Sequence, residues 1–88
     1  MVKILALVNN LILISQIDEV AGELGEPDCK LTKPFVIRKP ELPGLDSTLE
    51  PFLCGYTSQD IFMMSSDKIL TLSDPKPTLL EKYQELIK

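Results

Sequence analysis

The chain has no histidine and no tryptophan among its 88 residues, and holds only two cysteines and four glycines. Each scarcity removes a class of chemistry. Histidine is the commonest general acid-base group and the usual partner of an activated serine or cysteine, so its absence argues against catalysis. The expectation is a protein that is not an enzyme. A zinc site needs closely spaced Cys and His ligands, whereas Cys29 and Cys54 stand far apart with no histidine to complete a set. They are expected to be reduced, part-buried thiols. The glycines, at positions 22, 25, 44 and 55, form neither a G-x-G-x-x-G nor a G-x-x-x-x-G-K phosphate loop, and no cofactor is expected.

Long apolar runs are missing too. Nothing approaches the roughly 18 consecutive apolar residues of a membrane span. Asn9-Asn10 interrupts the apolar N-terminus, and no small-residue cleavage site follows it, so a signal peptide is not expected. The reading is a cytoplasmic protein with no membrane partner. Positive charge is also in deficit, since thirteen acidic residues against nine basic ones leave a net charge of −4. Attraction of the whole surface to nucleic acid is thereby excluded, and any such binding must be local.

What is present suits one small domain over residues 1–88, with 44% hydrophobic residues. A chain of this size buries only about 60 to 70% of its unfolded surface, so self-association is the expected supplement to its core. Val2 to Val8 and Leu11 to Val20 are runs rich in Ile, Leu and Val around Asn9-Asn10, which predicts an opening β-hairpin. Both of its faces are apolar, so one packs on the core and the other needs a cover, for which a second subunit is a candidate.

Asp18, Glu19, Glu23, Glu26 and Asp28 form an acidic stretch whose spacing matches no EF-hand, and an exposed loop without metal is expected. The charge then reverses, with Lys30, Lys33, Arg38 and Lys39 and no acid between residues 29 and 40. Leu31 to Ile37 reads as a third strand with Pro34 at an edge or bulge, since proline cannot donate to a ladder. A loop through Pro40, Pro43, Gly44 and Pro51 leads to a bent or interrupted strand from Phe52 to Met64. Ser65-Ser66-Asp67 is a polar turn, and Ile69 to Leu72 a last strand. Thr78 with Glu81 has the form of a capping box, predicting a helix over about 78–87 with Leu79, Leu80, Tyr83, Leu86 and Ile87 on one stripe.

Two stretches resemble motifs of a known family. Leu7 to Ile17 is similar to the first motif of Sm-like proteins, with Asn9-Asn10 at the Asp-Gly turn and Ser15 at the bending glycine. Met64-Ser65-Ser66-Asp67-Lys68-Ile69-Leu70-Thr71-Leu72 is similar to the second motif, with Ser65-Ser66 in place of its Arg-Gly. The chain thus resembles a divergent Sm/LSm-like (Hfq-like) protein, of the kind found in marine cyanophage and ocean metagenomes, for which the cytoplasm would be that of the host. The resemblance implies a mainly β fold: a strongly bent, five-stranded antiparallel open barrel of Sm-like (SH3-like) type, with one C-terminal α-helix. It also implies a homo-oligomeric ring that binds single-stranded RNA or DNA. The second motif would supply Ser65, Ser66, Asp67 and Lys68 to the pore, and the Asp28 to Thr32 stretch would bring Lys30 and Lys33 beside them. The alternative is a scaffold ring that binds protein and no nucleic acid.

Overall fold

The computed structural model describes residues 1–20, 27–39 and 48–88. Its strands are β1 (Val2–Leu7), β2 (Ile12–Glu19), β3 (Cys29–Arg38), β4 (Thr48–Pro51), β5 (Ile61–Met64) and β6 (Ile69–Ser73), followed by helix α1 (Pro77–Leu86). All pairings are antiparallel, in the order β4-β3-β2-β1-β6, and β5 also pairs with β3. The fold is mainly β, an open sheet compatible with a bent open barrel, with a C-terminal helix. Glu23, Glu26 and the loop prolines Pro40 and Pro43 lie outside the described residues.

The opening hairpin turns through Val8, Asn9 and Asn10. Asn10 N–H donates to the Leu7 carbonyl at 3.0 Å, and Leu7 N–H to the Leu11 carbonyl at 2.9 Å. Only Asn10 takes a positive φ, 69°, which its short polar side chain tolerates. Asn9 Oδ1 accepts from Leu11 N–H at 3.1 Å and holds the turn from within.

Six strands stand where five were expected: of the bent or interrupted strand expected from Phe52 to Met64 only Ile61–Met64 is strand, and a further strand lies at Thr48–Pro51, in the expected loop. β4 ends at Pro51, and residues 52–56 turn, with Leu53 at φ 58° and Gly55 at φ 90°. Pairing resumes only at Ile61. The segment 48–51, read from its proline as loop, is an edge strand, a place where a missing N–H leaves no ladder bond broken.

β3 serves both short strands. Its residues 29–32 pair with β5 and its residues 35–38 with β4. Between these halves the register with β2 slips, since Ile14 faces Phe35 while Gln16 faces Thr32. The extra residue lies at Lys33-Pro34, where Lys33 has φ 52°, and such a bulge bends the strand and increases its twist. It also reverses the alternation of side chains. Leu31 and Val36, at odd and even positions, therefore both reach the core with Leu5, Leu7 and Leu13. Each of these large side chains contributes on the order of 1.5 to 3 kcal/mol by leaving water.

The opposite face of the hairpin carries Ile14 beside Phe35. Tyr83 of α1, fully buried, meets Phe35 edge to face with centroids 5.8 Å apart. The chain's own helix thus covers part of the second apolar face. Lys76 is the N-cap and makes no side-chain cap bond, so the expected Thr78–Glu81 box does not start this helix. Pro77 starts it one residue earlier because proline's fixed φ suits the first helical position, which leaves Thr78 inside the first turn.

Candidate functional site

Ser65 and the short 3-10 turn Ser66–Lys68 join β5 to β6, and Asp28 at the start of β3 holds that turn. Ser66 N–H donates to Asp28 Oδ1 and Ser66 Oγ–H to Oδ2, both at 2.7 Å. These bonds, the hydroxyl's foremost, hold the Asp28 carboxyl below its ordinary value. On its other side the turn is stitched to the hairpin, since Val8 N–H donates to the Lys68 carbonyl at 3.0 Å. Ser66, Asp67 and Lys68 are exposed and Ser65 is half-buried.

Lys30 lies near this turn, opposite Met63 of β5 and opposite Asp18 of β2. Lys33 does not. It stands at the far end of β5, where its N–H donates to the Asp60 carbonyl at 2.6 Å and its Nζ to the Ile87 carbonyl at 3.2 Å. Its own carbonyl accepts from Tyr83 Oη–H at 2.7 Å, and Gln16 N–H donates to Tyr83 Oη at 3.3 Å. Lys33 follows Lys30 by three residues, about 10 Å along β3, and because β5 runs antiparallel Lys33 meets the opposite end of it. Of the weaker basic candidates, Arg38 is engaged with Glu50 of β4 at 2.5 Å.

Asp28 is the residue that the motif reading left out of the site. Its position just ahead of the basic stretch was the available signal, but its partner lies 38 residues away in the chain. Its neighbour Cys29 is buried, and burial, with the charges of Asp28 and Glu19, pushes its thiol above the ordinary value. A thiol held protonated is a poor nucleophile. Cys54 is free and exposed, not part-buried. Among the described residues no cluster of His, Cys, Asp and Glu is placed to hold a metal ion, and no helix is long and apolar enough to cross a membrane.

The turn can offer hydroxyl, ammonium and backbone groups to a ligand, but Asp28 already occupies both donors of Ser66. No curated protein matches the chain. Over residues 1–88 it matches a family of unknown function, DUF6561, and it belongs to that family.

Proposed function

We propose that this DUF6561 protein assembles edge to edge into a homo-oligomeric ring, works in the cytoplasm and binds single-stranded nucleic acid, RNA foremost, through Lys30 and the Ser65–Lys68 turn. The observation that carries the reading is a pair of open sheet edges. Among the described residues β6 pairs only with β1, while β4 and β5 pair only with β3. Ile61 and Met63 are exposed on one edge strand, and Leu70 and Leu72 on the other. An exposed apolar edge is a template for another chain, and joining two unlike edges is a head-to-tail contact, which makes a ring when its rotation closes. Repetition around an axis multiplies the few cations of each subunit, which compensates for an acidic whole. The Sm-like resemblance supports the same reading, because it expects the Asp28 stretch and the Ser65–Lys68 turn in one place, and Asp28 and Ser66 are 2.7 Å apart.

A scaffold ring without nucleic acid is the second reading. The Asp28 clamp on Ser66 and the position of Asp18 across from Lys30 favour it. Light scattering with anisotropy titrations of labelled single strands separates the two. The first reading expects a particle several times 9.9 kDa and an affinity that falls linearly on logarithmic axes as salt rises. A large particle that binds no homopolymer at low salt selects the scaffold, and a monomer at micromolar concentration rejects both.

A further inference from the structure

A pocket of about 420 Å³ opens between the end of α1, the 52–60 segment and the bend of β3. The chain has three phenylalanines, and Phe35, Phe52 and Phe62 all line this pocket. All three are half-buried. Phe52 and Phe62 meet edge to face with centroids 5.4 Å apart. Lys33, Lys88 and Asp60 line the pocket as well, and Lys88 Nζ donates to Glu85 Oε1 at 3.0 Å. An ammonium group has three donors, and the Ile87 carbonyl takes one from Lys33, a contact that aims the side chain along the pocket wall. Lys33, at the pocket wall, holds left-handed backbone at φ 52°, a conformation that tertiary structure must sustain.

Aromatic rings beside cations are the two elements with which proteins hold single strands, since every base has a face to stack and every nucleotide a phosphate. The volume lies within the range of small-ligand pockets. We infer that this pocket holds one nucleotide of the bound strand, its base against Phe52 and Phe62 and its phosphate on Lys33 and Lys88, an assignment that rests on the proposed function. The four residues of β5 span the distance from this pocket to Ser65, about 13 Å at ~3.3 Å each. Lys33, separated from the Ser65–Lys68 turn, thereby serves a second contact on the same strand.

The test is an amide-resolved NMR titration of the whole chain with nucleoside monophosphates, inorganic phosphate and single-stranded hexanucleotides. Hexanucleotides are expected to shift Phe52, Phe62 and Lys33 together with Ser66 to Lys68. Inorganic phosphate is expected to move Lys33 and Lys88 but neither phenylalanine. Phe52→Ala should weaken hexanucleotide binding about tenfold, the scale of one lost stacking contact. Phe52 also packs against the core, so Ser58→Trp, which fills the pocket from an exposed position, should give a similar loss with the fold retained. Hexanucleotide shifts confined to Lys30 and Ser65–Lys68, or full affinity in Ser58→Trp, overturn the inference and leave the proposed function standing. Pocket shifts with mononucleotides but none with hexanucleotides overturn both.

Discussion

Tyr83 ties helix to sheet, because one hydroxyl serves both strands at the bend. It accepts from Gln16 N–H and donates to the Lys33 carbonyl, and its ring closes over Phe35. Tyr83→Phe keeps the ring and strands those backbone groups, so a loss of about 1 to 3 kcal/mol is expected. Thermal unfolding should report it as a fall of roughly 4 to 8 °C per kcal/mol for a domain of this size. Burial also raises the ionisation of Tyr83 above 10.0 and that of Cys29 above 9.0. The unfolded chain gives up these protons first. Their contribution to stability is therefore complete below about pH 9 and declines as pH rises through that value and beyond 10. Urea midpoints that stay level from pH 8 to 11 would contradict the burial of both groups. Asp28 has the opposite sign, since its lowered value stabilises the fold above its ordinary 3.8 and is lost as pH falls through the folded value.

At the scale of elements, α1 is the cover that the opening hairpin required. Tyr83 is fully buried and Leu79, Leu80 and Ile87 are half-buried, whereas Leu86 is 50% exposed and stands at the pocket. Ending the chain at Lys76 should expose Ile14 and Phe35 and remove several kilocalories per mole of apolar burial, at about 1.5 to 3 per large side chain. Circular dichroism is expected to show melting far below the parent, or the truncated protein should aggregate. A truncated chain as stable as the parent would mean that the stripe serves a partner. The helix was legible from its apolar spacing. Its start lies one residue before the expected one, because Thr78 and Glu81 satisfy the capping pattern while Pro77 already suits the first helical position.

For the whole molecule the open edges are the decisive feature. Met63→Lys on β5 and Leu70→Lys on β6 place charges on exposed positions of opposite edges, where they cost the isolated subunit little and oppose edge pairing. For the proposed ring, each single change should lower the particle mass seen by light scattering while the far-ultraviolet dichroism stays unchanged. If neither alters the mass of an oligomer, its interface lies elsewhere. If the proposed ring binds single strands, the affinity of such variants should fall with the mass, since the proposed avidity depends on the repeat and not on one subunit's few lysines.

Composition and local pattern alone determined the mainly β class, the opening hairpin, the last strand, the final helix and its apolar stripe. They suffice there because each depends on neighbours within a few residues: a turn at Asn9-Asn10, alternating aliphatics, a helical period. Tertiary structure decided what depends on distant partners. The split of the 48–64 region into two strands follows from which half of β3 each can pair with. The bulge at Lys33-Pro34 reverses a strand's faces, sending Leu31 and Val36 to the same core. Asp28 becomes the clamp of Ser66 only when β3 and β5 lie side by side, because a hydrogen bond between residues so far apart in the chain has no local pattern to betray it.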